Sequence, residues 1–393
     1  MDIVIVAQYL TDITKPGAEV SRFLYLAKLL GQEQNVEIVT TDFIHQLKQN
    51  VPPVESYEGV KLTMLHEPGY PRNICLTRFK SHMVLAKNVA AYLTRRKKPD
   101  VLYCAVPSLD VASAVAKYCR RNHVRLIVDI QDLWPEAFKM VLKVPVISDL
   151  IFYPMSKTAD AIYSAADEIV SVSESYAARA KKVSKKKTST VVFLGTDKNR
   201  FDSYVRPVRK DDSAVELVYV GSLEKSYDLE NVIRAVAISG KAKLVVIGDG
   251  SKRQQLEQLA REQGISCEFT GRLAYPDMVA RMCACDIAVN PIRRGSAGSV
   301  INKVGDYAMA GLPVINTQEC QEYRSLLEAY EAGLNCRCED PEDIARKLDA
   351  LVADGELRCR MAKNSRKLGE EKFDRRKTYQ EICRLITNDQ KTQ

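Results

Sequence analysis

Lys303 and Asp306 stand three residues apart, just after a loop rich in glycine and serine. Residues at that spacing share one face of a helix and are offset by roughly 4.5 Å along its axis. A strand ending at Asn290 should give way to this loop. A helix is then expected to begin near Ser299, as its N-cap, and to stop at Gly311 with Pro313 behind it. The free N–H groups of such a start favour an anion. Lys303 at that start could hold a diphosphate, and Asp306 one turn later could accept hydrogen bonds from two ribose hydroxyls. That chemistry fits a nucleoside diphosphate. The competing reading is an exposed ion pair on a solvated helix. The Gly/Ser loop and the two-domain organisation weigh against it.

Further chemistry-bearing loops follow strand-like runs. Gly221 to Asp228 includes Ser222, Lys225 and Tyr227, and Gly248-Asp249-Gly250 opens another helix. Both fall at strand carboxyl ends, where ligand loops belong. Gly17 stands at an expected helix start after the first strand, where backbone can approach a substrate. A simple turn is the alternative at each glycine. Between Asp129 and Glu136 lie three carboxylates and the single tryptophan. Asp129 could brace the strand end. Asp132 and Glu136, with Trp134, are acceptor-side candidates, and Asp132 could relay a proton.

These residues need a scaffold of alternating strands and helices. Short β-branched runs occur at 3–6, 36–40, 60–65, 101–104, 125–130, 168–172 and 191–194. Amphipathic stretches such as 20–30 and 111–121 separate them. After a polar break near residue 200 the alternation restarts, with strands at 216–220, 244–248, 267–270, 286–290 and 314–316. The fold class expected is α/β: two Rossmann-like, doubly wound domains facing a central cleft. The expected bounds are 1–198 for the acceptor-side domain, 199–365 for the donor domain and 366–393 for C-terminal helix returning to the first domain.

With 393 residues, 46% hydrophobic and 27% charged, the composition is globular. No apolar run is long enough to span a bilayer. Met1 to Val6 lacks the marks of a secretory signal, so the cytosol is the expected compartment. The eleven cysteines are scattered and read as buried thiols. Cys283/Cys285 and Cys336/Cys338 are too close together for a metal knuckle, and no metal is expected. The net charge of +8 gathers at 95–98 and 181–187. Those runs suit solvated helix ends or an anionic membrane surface. Nucleic acid is not expected, because no aromatics interleave them.

The motifs resemble a known group, the retaining GT-B glycosyltransferases (family 4-like) that build bacterial surface polysaccharides. The subgroup is the one that adds amino sugars or deoxysugars in O-antigen and capsule pathways. The resemblance covers nearly the whole chain. It rests on Gly17-Ala18-Glu19, on the segment Asp132 to Glu136, on Leu194 to Phe201, and on Gly221-Ser222-Leu223 and Gly248-Asp249-Gly250. Phe269 to Arg272, Asn302 to Tyr307 and Gly311 to Val314 complete it. It implies transfer from a UDP-sugar with retention and without a metal. Lys303, Asp306 and Asp132 are the catalytic candidates. Gly17, Ser222, Lys225, Tyr227, Gly250, Arg272, Leu273, Arg294, Ser299 and Asn302 would line the donor, with Lys303 and Asp306.

The pattern departs from the wider family at three places. Asp306 stands at the second of the family's two glutamates, and the first falls on Gly298. Ser222 replaces the usual phosphate-binding arginine, and the usual first-domain histidine is not evident. The leaving diphosphate should therefore rest on Lys303, with Arg293 or Arg294. A polyprenyl-diphosphate-linked saccharide on the inner membrane face is the expected acceptor, with apolar segments 141–147 and 150–153 reaching the bilayer interface. Two other functions stay open: a GT-B sugar-nucleotide epimerase and a silent nucleotide-binding subunit.

Overall fold

A computed structural model describes residues 1–10, 13, 21–73, 75–141, 145–184, 189–206, 214–296 and 299–387. The expected loop residues Gly17 and Gly298 and the lysines at 185–187 lie outside these described residues. The chain divides into two units, Met1–Val192 with Tyr379–Gln393, and Phe193–Thr378.

The first unit runs β1 (Asp2–Val6), α1 (Arg22–Leu30), β2 (Asn35–Thr41), β3 (Phe43–Ile44), β4 (Gln49–Asn50), β5 (Ser56–Tyr57), β6 (Val60–Leu65) and α2 (Leu76–Arg95). It continues through β7 (Val101–Val106), α3 (Leu109–Asn122), β8 (Arg125–Ile130), α4 (Glu136–Val141), α5 (Pro145–Ala165), β9 (Glu168–Ser171), α6 (Glu174–Lys181) and β10 (Thr190–Val191). Among the described residues, one sheet has the order β10-β9-β8-β7-β1-β2-β6-β5. All its pairings are parallel except β5 with β6. The central strands β1, β7 and β8 are short, β-branched and buried on both faces, as a sheet covered by helices requires.

The second unit comprises α7 (Lys198–Tyr204), β11 (Val215–Val220), α8 (Leu229–Ser239), β12 (Ala242–Ile247), α9 (Arg253–Glu262), β13 (Cys267–Gly271), α10 (Tyr275–Cys283) and β14 (Ile287–Asn290). Then come α11 (Lys303–Met309), β15 (Val314–Asn316), α12 (Gln321–Tyr330), β16 (Gly333–Asn335), α13 (Pro341–Ala353) and α14 (Gly355–Leu368). A π-helical turn at Gly369–Phe373 precedes α15 (Arg375–Thr387). Its sheet is parallel throughout, in the order β13-β12-β11-β14-β15-β16.

Every strand expected from the sequence occurs, with ends shifted by a few residues. β3, β4, β5 and β16 were not expected, being two or three residues long with no alternation to reveal them. The division falls at 192/193, where 198/199 was expected. Residues 366–378 stay with the second unit. Only the later part of α15 joins the first, where Tyr379, Ile382 and Ile386 enter the core against Phe23, Leu26 and Tyr103.

In each sheet the strand order reverses at one point, between β1 and β7 and between β11 and β14. Loops leaving neighbouring strands diverge there and open a crevice at the carboxyl ends. The loops after β11 and β14 carry the residues singled out for chemistry.

Candidate functional site

The site of the second unit begins with two glycines. Gly221 follows β11 at φ +147° and Gly248 follows β12 at φ +145°, values that L side chains rarely adopt. A Cβ on Gly248 would lie 1.8 Å from the Gly221 carbonyl oxygen, so the two loops touch backbone to backbone. Gly221 N–H donates to Ile247 O at 2.9 Å, and Leu223 N–H to Asp249 O at 3.0 Å. A Cβ on Gly250 would lie 2.6 Å from the Leu223 carbonyl oxygen, which makes this glycine a spacer between loops. Beyond them, Gly248 N–H donates to Gly271 O at 2.9 Å, placing exposed Arg272 and half-buried Leu273 at the same sheet edge.

The loop after β14 joins the one after β11. Asp228 N–H donates to Pro291 O at 2.8 Å, and Arg293 N–H to Ser226 O at 3.0 Å. The chain then turns into α11, which starts at Lys303 instead of Ser299. The Ser299 carbonyl accepts from the Gln318 amide at 2.7 Å, so it does not start the helical ladder. Asn302, in the αR region, precedes the helix without a side-chain cap.

Lys303 points back beneath Gly221. A Cβ on Gly221 would lie 2.3 Å from the lysine Nζ, so only glycine leaves the ammonium its place. Nζ lies 3.8 Å from the Tyr227 ring centroid and 4.3 Å from that of Tyr219. It donates to the Tyr219 hydroxyl at 3.1 Å, and that hydroxyl donates to Ser222 O at 2.7 Å. Among the described residues no carboxylate pairs with Lys303. Burial holds its amine well below the usual lysine range. A cation held between two electron-rich rings without a counter-ion is poised for an anion.

Asp306 does not pair with Lys303. Its Oδ1 accepts from Thr196 Oγ1 at 2.7 Å and from the Tyr275 hydroxyl at 3.1 Å. The two residues therefore share a helix but not an ion pair, and the exposed-pair reading is excluded. Arg293 is committed elsewhere, 2.6 Å from Glu230 and 3.3 Å from Asp228. Arg294 is exposed and pairs with Glu319 at 3.5 Å. Ser222, Lys225 and Asn302 are exposed on the same loops, while Tyr227 and Ser299 are half-buried. No group of three or more His, Cys, Asp or Glu side chains among the described residues is placed to hold a metal ion.

In the first unit the acidic candidates are largely occupied. Asp129 is buried against Arg22, with Nε to Oδ2 at 2.7 Å. Glu136 pairs with Arg179 at 2.5 Å through Oε1. Trp134 is buried, stacked on His82 at 5.9 Å and covered by the Arg78 guanidinium at 4.7 Å. It packs in the core instead of facing a ligand. Asp132 is half-buried and accepts from Leu133 N–H at 2.9 Å and the Tyr176 hydroxyl at 3.3 Å. Burial raises its carboxyl above the usual range, so it remains the candidate proton acceptor.

A cluster not singled out from the sequence lies at the ends of β1, β2 and β6. It joins Tyr9, His45, Glu67, Tyr70, Arg78 and His82. His82 is buried, and its Nε2 is hydrogen-bonded to the Tyr9 hydroxyl at 3.3 Å. Burial, then Arg78, pushes His82 down to about 3, so it is neutral at pH 7. Glu67 accepts from Gln8 at 2.9 Å and Ser81 at 2.8 Å, and burial raises its carboxyl. One signal was available: Arg78 and His82 stand four apart on α2, one face of a helix.

Residues 201–368 match the family described as "Glycosyl transferases group 1". An "Uncharacterized glycosyltransferase MJ1069" of Methanocaldococcus jannaschii is 24% identical over 45% of this chain and 46% of its own length, less than half of that relative. The "Lipopolysaccharide core biosynthesis glycosyltransferase LpsE" of Rhizobium meliloti is 25% identical over 81% of this chain and 83% of its own length. Among solved structures, Anabaena Alr3699/HepE, in complex with UDP, superposes with a TM-score of 0.71 at 14% identity, covering 99% of this chain and 100% of that one. The chain is thus a two-domain protein of the GT-B fold, and residues 201–368 of its second unit match the glycosyl transferases group 1 family.

Proposed function

We propose that this chain transfers a sugar from a UDP-sugar to a lipid-linked saccharide in lipopolysaccharide or related surface-polysaccharide synthesis, retaining the anomeric configuration and using no metal ion. The donor sugar is a hexose, an N-acetylhexosamine or a deoxy amino sugar, and the acceptor is a polyprenyl-diphosphate-linked saccharide at the inner membrane face. One observation carries the reading: the Lys303 ammonium, without an acid partner among the described residues, lies under Gly221 between Tyr219 and Tyr227. Negative charge grows on the departing diphosphate, and a fixed cation there stabilises the transition state more than the bound donor. The core-biosynthesis relative and the UDP complex of the structural neighbour support the pathway and the nucleotide.

The reaction is tested by incubating the protein with a UDP-sugar in EDTA and following the sugar by NMR. Release of UDP with a product of the donor's anomeric configuration is expected. An inverted product, or a new nucleotide sugar with no UDP released, would overturn the reading in favour of an inverting enzyme or an epimerase.

A further inference from the structure

Lys48 and Arg78 lie on one tyrosine ring at the carboxyl edge of the first sheet. Arg78 is buried in the first turn of α2, and Lys48 is half-buried beyond β3. The Lys48 Nζ lies 4.9 Å from the Tyr70 ring centroid, and the Arg78 guanidinium lies 5.2 Å from the same ring. Both donate to Asn73, Lys48 to the side-chain oxygen at 2.5 Å and Arg78 to the carbonyl at 2.7 Å. Among the described residues neither has an acid partner. Arg78 Nε is buried with no hydrogen-bond partner. Two like charges on one ring, with an open buried N–H, cost stability until an anion offsets them. Burial and then the Arg78 charge hold the Lys48 amine below its usual range. His45, hydrogen-bonded to the Tyr70 hydroxyl at 2.7 Å, is pushed down to about 4 and adds no fixed charge.

An aromatic ladder leads away from this pair. Arg78 covers Trp134, which meets Phe138 at 4.7 Å; Phe138 meets Phe152 at 5.9 Å and Phe79 at 6.3 Å. The ladder ends at an exposed apolar surface, where Leu76 is 86% and Leu150 79% exposed, with Met83 and Ile151 also outward. The ring contacts of Phe79 and Phe152 with Phe138 bring the two helices that carry these exposed residues together, and exposed apolar residues so gathered suit an apolar ligand.

Resting on the transferase reading, we propose that Lys48 and Arg78 bind the phosphate of the acceptor and that the Phe138–Phe152 surface, with Leu76 and Leu150, receives its polyprenyl chain. The acceptor is then an amphiphile gripped at its head-to-tail junction. A soluble sugar phosphate would use the cations and leave the apolar surface idle.

Trp134 is the sole tryptophan and lies under Arg78, so its fluorescence reports this site. With UDP saturating the second unit, titration with farnesyl diphosphate should change the emission saturably. Inorganic pyrophosphate should bind at least about tenfold more weakly, because it lacks the apolar chain. Lys48→Met, at a half-buried position, should weaken both ligands about tenfold through lost charge. Leu76→Ser with Leu150→Ser, at exposed positions, should weaken farnesyl diphosphate alone. Equal affinity for the two ligands, equal binding of farnesol, or no effect of Lys48→Met would overturn the proposal. Absence of UDP binding by calorimetry would instead remove the donor reading and leave the Trp134 titration as it stands.

Discussion

Lys303→Ala is expected to lower turnover by roughly two to three orders of magnitude, the scale of losing one preorganised charge-stabilising group. The loss should appear in kcat, because the interaction strengthens as the diphosphate leaves. Folding should be preserved, since the ammonium contacts two rings and one hydroxyl and closes no ion pair. The pH profile gives a second check. Burial depresses the Lys303 amine in the empty site, and a bound diphosphate raises it again, so the donor takes up a proton on binding. Donor affinity should therefore fall as pH rises, and the alanine variant should lose that dependence. Near-normal turnover in the variant would remove Lys303 from the chemistry.

Asp129→Ala is expected to cost about 3–5 kcal/mol of stability in the first unit, the range for removing one partner of a buried ion pair. Asp129 Oδ2 accepts from Arg22 Nε at 2.7 Å and from the Tyr103 hydroxyl at 2.6 Å, and Oδ1 accepts from Gln131 at 2.6 Å. Arg22 Nη1 also donates to Val192 O at 2.9 Å, and its guanidinium lies 4.9 Å from the Tyr379 ring centroid. One carboxylate thus holds together α1, the end of β10 and the returning α15. Its loss takes from a buried guanidinium the carboxylate 2.7 Å away. Urea unfolding should show the first unit melting early. A change below about 1 kcal/mol would mean that the guanidinium finds water or another acid.

The strand pattern was readable because parallel strands buried on both faces are short β-branched runs between breaks. The Lys303 loop stood out by its residue types, but its helix start did not. Ser299 has the right residue type, yet Gln318, from the loop after β15, takes its carbonyl, and no local rule anticipates that contact. Asp132, Trp134 and Glu136 drew attention as a cluster of acids beside an aromatic. The fold gave two of them to packing, because Arg179 and Arg78 come from helices distant in sequence. Arg293 was expected near the diphosphate because Ser222 stands where the family has an arginine, and Glu230 and Asp228 occupy it. Lys48, Tyr70 and Arg78 escaped notice, since their separate loops meet only when β2 and β6 pair.

Leu150, Ile151 and Tyr153 of α5 are exposed, whereas side chains at 141–147 lie outside the description. Arg96 in the first basic run pairs with Asp2 at 3.0 Å and Glu37 at 3.3 Å, so that run is less free to meet a membrane than its charge suggested. No described helix is long and apolar enough to cross a membrane. Contact with lipid, in this account, comes through the acceptor's own chain.

Calorimetric titration of UDP into the protein in EDTA tests the central claim most directly. In buffers of different ionisation heat, it should show one site in the wild type with net proton uptake, and binding weakened with the uptake lost in Lys303→Ala. Binding that appears only when a divalent ion is added, or that is unchanged by the substitution, would contradict a donor site in which Lys303 carries the diphosphate.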